Sequence, residues 1–271
     1  MSDESSAARA AWERVDTTIP HSARVWDFLL GGKDHYAVDR EVGETLLKLF
    51  PDFAMVARLQ REFLMRAVRY LVSEAGVRQF LDIGTGLPTA NNTHEVAQSI
   101  APETRVVYVD NDPIVLVHAR ALLTSAEPGV TDYIDADVRH PDVILNGAAK
   151  TLDFTRPVAV MMLSIAGQLT DDDNPAAIIG QLLERLPSGS YLALSDGTDT
   201  NPALVQAVAN YNRTAANTYQ LRSPAQIAAF FAGLDLVDPG VVPTPQWRPE
   251  PDRWDEPPAV VSAVCGIARK P

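Results

Sequence analysis

Three aspartates mark where this 271-residue sequence can do chemistry: Asp82, Asp110 and Asp137. They close or follow the short apolar runs "QFLDI", "RVVYVD" and "TDYIDA". The first run leads into Gly84, Thr85 and Gly86, and a paired-glycine turn lets a ligand approach backbone that side chains would otherwise shield. A carboxylate accepts several hydrogen bonds at once, which suits Asp110 to the two hydroxyls of a ribose, with Asn111 beside it. Asp137 can accept from an exocyclic amine while the Val138 backbone meets an adenine ring. Taken singly, a Gly-x-Gly turn is often a plain connection, Asp110 reads as a helix cap and Asp137 as a solvated loop carboxylate. At three successive strand ends, in chain order, they suit the parts of one adenosine-containing ligand.

The loop narrows the choice of ligand. Dinucleotide-binding turns carry a third glycine so that a pyrophosphate rests on a helix N-terminus; here Thr89 holds that position and Pro88 stiffens the loop. Asp82, just before the first glycine, suits a cation instead. S-adenosylmethionine, with its sulfonium and ammonium, meets both conditions, and Ser164, after the run "PVAVMML", is a further candidate contact.

Methyl transfer is an in-line displacement at an activated carbon, so a protein supplies alignment and, for hydroxyl or amine acceptors, a base. The segment "ARVWDFLLGGKDHYAVDR" is a candidate lid. Gly31 and Gly32 can bend it over the cofactor, His35 and Tyr36 are the candidate catalytic groups, and Arg24 can pair with a carboxylate. Each has a plainer explanation: a hydrogen-bonded structural histidine, a packing tyrosine and an ordinary ion pair. His94 and His118 fall in helical patterns and His140 near the rim. Asp171, Asp172 and Asp173 cap a helix more simply than they hold magnesium, so no metal is expected.

Composition sets the outer limits. Hydrophobic residues at 46% and charged residues at 21% are globular usage, and a formal charge of −12 opposes binding to phosphate backbones, so no nucleic-acid partner is expected. The single cysteine, Cys265, reads as a buried strand residue. The polar, acidic start "MSDESSAARAAWERVD" has no apolar segment fit for export or membrane insertion, which points to a cytoplasmic protein without membrane association.

The elements that must position these residues are legible in the patterning. Residues 52 to 76 place Val56, Leu59, Phe63, Ala67 and Leu71 at helical spacing, so they are expected to form an amphipathic helix packed on a sheet. From Gln79 onward, five β-type runs alternate with helical patterns, which predicts an α/β fold with a parallel sheet covered by helices. Asp112-Pro113, Asn174-Pro175, Asn201-Pro202 and Ser223-Pro224 each join a capping side chain to a proline suited to the first helical turn. The closing runs "GLDLVDPGVV" and "AVVSAVCGIA" are joined by the excursion "PTPQWRPEPDRWDEPP" without a helix, so they are expected as antiparallel neighbours. The predicted organisation is a flexible tail over 1–16, a helical lid over 17–76 and a cofactor-binding core over 77–271.

The sequence resembles the class I S-adenosylmethionine-dependent methyltransferases, and within them an actinobacterial group long catalogued as a domain of unknown function. The stretches that carry the resemblance are "PHSARVWDFLLGGKDHYAVDRE", "QFLDIGTGLPTANNTHEVAQ", "RVVYVDNDPIVLVHARALL", "LDFTRPVAVMML", "TDDDNPAAI" and "GLDLVDPGVVPTPQWRP". The resemblance implies a Rossmann-like seven-stranded sheet whose last strand is antiparallel. It also implies that Asp82, Gly84, Thr85 and Gly86 surround the methionine part, Asp110 the ribose, and Asp137 with Val138 the adenine. One departure stands out: the group's pattern has a histidine shortly after the fourth strand, where this chain reads "LSIAGQLTDDDNP" with Gly167. The expected function is therefore methyl transfer from S-adenosylmethionine to a small molecule. A catalytically silent cofactor-binding protein and a nicotinamide-dependent oxidoreductase are the alternatives.

Overall fold

The computed structural model describes residues 15–88, 90–122, 125–250 and 261–271. The expected tail up to residue 14, Thr89 at the third-glycine position, and residues 251–260 of the terminal excursion lie outside them.

Three helices open the described chain: α1 (Ser22–Leu29), α2 (Ala37–Leu49) and α3 (Phe53–Ser73). Five strands follow in alternation with helices: β1 (Gln79–Ile83), α4 (Thr93–Ile100), β2 (Arg105–Asp110), α5 (Pro113–Leu122), β3 (Val130–Asp135), α6 (Pro141–Ala148), β4 (Ala159–Leu163), α7 (Pro175–Glu184) and β5 (Tyr191–Gly197). Helices α8 (Pro202–Tyr211) and α9 (Pro224–Ala229) lead to β6 (Asp235–Leu236), β7 (Val242–Pro243) and β8 (Ala263–Arg269). The expected proline-headed helices start as the sequence predicts. Asp112 accepts from the Ile114 N–H at 3.0 Å, and Asn174, Asn201 and Ser223 accept from the N–H groups of Ala177, Ala203 and Gln226.

Strands β1 to β5 are parallel in the order β3-β2-β1-β4-β5, and β8 extends the sheet antiparallel to β5. The sheet has eight strands rather than seven because "GLDLVDPGVV" pairs with β8 in two pieces. Between β6 and β7 the turn at Asp238-Pro239-Gly240 leaves the ladder; proline has no N–H to contribute there. Both pieces run antiparallel to β8, as the terminal pair was expected to do.

Alternate residues of each strand feed two cores, as the period of two requires. Leu81, Val107, Val160 and Leu192 pack under α6, α7 and α9, whereas Phe80, Val106, Met161 and Ala193 pack under α3 and α4. Cys265 is fully buried in the second core, and burial pushes its thiol pKa far up. Helix α3 serves two partners. Phe63, Ala67 and Leu71 join the sheet, while Val56 and Ala57 join Val25, Leu29 and Leu46 of α1 and α2 and Leu204 and Val208 of α8. One helix thus packs continuously on the sheet and on the first two helices, so its contacts span both sides of the boundary expected at residue 76.

Candidate active site

The carboxyl ends of β1 to β4 open onto one cleft, roofed by α1 and the start of α3. Its floor is the first glycine turn. Gly84 and Gly86 have φ of +72° and +67°, a region L-residues seldom adopt, and a Cβ at Gly84 would overlap the Ile165 side chain. The Gly84 and Thr85 N–H groups donate to the Val109 carbonyl at 2.8 and 3.3 Å, which fixes the turn against the end of β2.

Beside it Asp110 accepts from the N–H of Gly86 at 2.8 Å and that of Asp112 at 3.0 Å, one on each carboxylate oxygen. Further lone pairs remain for ribose hydroxyls. Burial raises its pKa, against the pull of those two N–H bonds. Asp82 accepts from Thr93 Oγ1 at 2.6 Å; burial lifts its pKa to about 6, with Thr93 and the Arg61 charge opposing. Asn111 and Asp137 meet each other, Nδ2 donating to Oδ2 at 3.1 Å, and Arg139 grips Asp137, Asp173 and the Gln168 carbonyl. Val138 lies between this clasp and the core.

Nine of the ten cofactor candidates line the cleft: Asp82, Gly84, Thr85, Gly86, Asp110, Asn111, Asp137, Val138 and Ser164. Ser164 sits in the left-handed region at φ 61°, which is uncommon outside glycine and occurs at sites where surrounding packing enforces it. Its hydroxyl takes a hydrogen bond from the Gln60 amide.

The tenth candidate and both catalytic candidates lie elsewhere. Arg24 is buried on the far side of α1, donating to the carbonyls of Asp16 and Ile19 beside Asp39 and Asp112. His35 is bound to Asp27 at 3.0 Å with its ring edge-on to Phe28, and Tyr36 packs under the Arg24 guanidinium and against Leu87 and Ile114. Arg24 is held by contacts made from α1 itself, whereas His35 and Tyr36 follow a loop tied to α1 where the Asp34 N–H donates to Asp27. His94 packs on Tyr108, as its helical position suggested, and His118 faces Asp34.

The sequence pattern left several cleft residues unnoticed. Gln60 interrupts the apolar stripe of α3 at a buried position, and that interruption was the available signal. Arg61 follows it, donating to the Ala90 and Asn91 carbonyls at 3.1 Å beside the glycine turn, with its pKa lowered by burial and partly restored by Asp82. Tyr211 and Tyr219 had no local pattern to betray them. Beyond the polar floor the walls turn apolar, with Val25, Leu29, Phe53 and Val56 facing Leu204 and Val208. In that arm the Tyr211 and Ser262 hydroxyls are buried without a hydrogen-bond partner. Among the described residues no cluster of three or more His, Cys, Asp or Glu can hold a metal ion, and no helix is long and apolar enough to cross a membrane.

The profile of a family described as S-adenosyl methyltransferase matches residues 8–271. Among solved structures, a DUF574-family protein of Streptomyces avermitilis is similar at 43% identity, over 95% of this chain and 100% of its own, with a TM-score of 0.91. A candidate methyltransferase of Thermobifida fusca YX is similar at 40% identity, over 94% and 96%, with a TM-score of 0.86. No curated protein matches the chain.

Proposed function

The chain belongs to the S-adenosyl methyltransferase family and is an S-adenosylmethionine-dependent methyltransferase, and we propose that its acceptor is a small, largely apolar molecule held in the arm of the cleft beneath α1. The donor set at the floor fits the cofactor. A buried carboxylate with one hydroxyl partner, Asp82, stands ready for an ammonium, Arg61 for a carboxylate, and Asp110 for ribose hydroxyls. The glycine turn lets the methionine portion approach backbone. When bound, S-adenosylmethionine supplies the activated methyl carbon. The protein's residues hold it, exclude water and align the acceptor.

The observation that carries the acceptor assignment is the change of character along one cleft, from carboxylates and amides at the strand ends to aliphatic side chains of α1, α3 and α8. Small-molecule sites are typically apolar with a few placed polar groups, and the orphan hydroxyls of Tyr211 and Ser262 answer that description. The net charge of −12 disfavours a nucleic-acid acceptor. Calorimetry with S-adenosylhomocysteine, followed by transfer of labelled methyl groups into polar and apolar fractions of a metabolite extract, tests the proposal. Label in the apolar, low-mass fraction is expected. Label confined to protein, nucleic acid or polar metabolites would refute it.

A further inference from the structure

Where the apolar arm meets the cofactor floor, one polar pair interrupts it. Asp196, at the end of β5, is 3% exposed. It accepts from the Gly167 N–H at 2.6 Å, from the Gly197 N–H at 3.0 Å and from the Tyr219 hydroxyl. Tyr219 lines the cleft. Its backbone is clamped, its N–H donating to Asn212 and its carbonyl accepting from Asn212, both at 2.8 Å, while the next N–H, of Gln220, donates to the Gly167 carbonyl at 2.7 Å. The ring lies flat against Gly167, where a Cβ would overlap it. Any side chain at 167 would therefore have to displace the tyrosine ring, and glycine is what leaves room for it. Tyr219 also shares the cleft with the glycine turn and Asp110. The segment that carries Gly167 begins with Ser164 and Ile165, and Ile165 packs on the glycine turn through Gly84.

Resting on the acceptor site proposed above, we propose that Tyr219, backed by Asp196, is the proton acceptor of the transfer, and that the acceptor is an apolar molecule with a phenol-like hydroxyl. In the balanced step the acceptor oxygen gains the methyl carbon as the carbon–sulfur bond breaks onto sulfur. The hydroxyl proton passes to Tyr219 Oη, whose own proton passes to the Asp196 carboxylate. A base works best with a pKa near the operating pH. Burial pushes Asp196 up to about 7, against the opposing bonds from Gly167 and Gly197 and the positive charge of Arg222. The charged and titratable groups facing it are Tyr219 and Arg222, the latter paired with Asp171. The raised carboxylates that line the cleft, Asp82 and Asp110, lie at the glycine turn and the end of β2, away from the apolar arm.

The test uses the complex of the full chain with S-adenosylhomocysteine and 4-nitrophenol as probe, since the dye's phenolate has its own visible band and its pKa lies near neutrality. In an apolar chamber without a base the bound dye stays neutral. In the wild type at neutral pH the bound dye is expected mostly as phenolate. Tyr219→Phe and Asp196→Asn should each lower the phenolate fraction about tenfold, the loss of one hydrogen bond to a charged group. Gly167→Ala, which keeps both groups but displaces the ring, should act in the same direction, and cooperative thermal unfolding checks that each variant folds. Neutral bound dye in the wild type, or phenolate unaffected in folded variants, overturns the assignment of the pair while leaving the chamber intact. A complex that takes up no dye overturns the chamber and the pair together, and failure to bind S-adenosylhomocysteine overturns the site beneath both.

Discussion

Asp110 and Asp82 carry the polar half of the site by different means. Asp110 is oriented by two backbone N–H groups, and in the ribose role proposed for it Asp110→Ala is expected to weaken S-adenosylhomocysteine binding by about 1–3 kcal/mol in calorimetry. Unchanged affinity in a folded variant would dismiss the ribose role. Asp82 is a buried carboxylate whose charge burial penalises; Asp82→Asn should therefore raise the melting temperature of the ligand-free protein at alkaline pH while reducing cofactor affinity. A variant that loses both stability and affinity would mean that the Thr93 contact, and not the charge, is what matters there. Both residues were visible in the sequence because strand-end acids beside a glycine turn have a local pattern. Arg24, His35 and Tyr36 show the opposite case. Their types suggested chemistry, but Arg24 meets Asp112, His35 meets Asp27 and Tyr36 meets Arg24, contacts that no spacing announces.

The elements were legible where the signal was local. All five parallel strands, and four of the proline-headed helices, follow from alternation and capping, which act within a few residues. Two things depended on distant partners. The split of the terminal strand follows from how Asp238-Pro239-Gly240 sits against β8, and the apolar arm exists only because α1, α3 and α8, far apart in sequence, share one core. What holds α1 there is also non-local: Arg24 lies 3.7 Å from Asp39 at the start of α2 and 3.5 Å from Asp112 at the cap of α5, with His21 at 2.9 Å from Asp112. Arg24→Ala leaves two buried carboxylates short of positive charge and should cost on the order of 3 kcal/mol in denaturant unfolding. Because Asp112 also fixes Asp110 through its N–H, cofactor affinity should fall with it. A midpoint equal to wild type would show that the apolar contacts of α1 suffice.

Across the whole molecule, three carboxylates have raised pKa values in a chain with net charge −12: Asp82 and Asp110 on the cleft, and Asp196 behind Tyr219. A carboxylate that is harder to ionise when folded binds more protons in the native state, so its stabilising contribution is complete below the unfolded value of 3.8 and is lost as pH rises through the folded value. For Asp82 that window closes at about 6 and for Asp196 at about 7. Asp112, whose pKa is lowered by His21 and Arg24 despite burial, acts oppositely and loses its contribution only in stronger acid. The ligand-free protein should accordingly be most stable in mild acid, and the Asp82 shift alone corresponds to roughly 3 kcal/mol lost by neutral pH. A cationic ligand reverses this at Asp82, since its ammonium favours the ionised form. S-adenosylmethionine should then raise the melting temperature more at about pH 8 than at about pH 5, and its binding near pH 6 should release protons, seen as a dependence of the calorimetric heat on the ionisation enthalpy of the buffer. A heat independent of buffer would place the ammonium away from Asp82, and a melting shift that shrinks with rising pH would mean that the cleft does not use its buried charge to hold the cofactor.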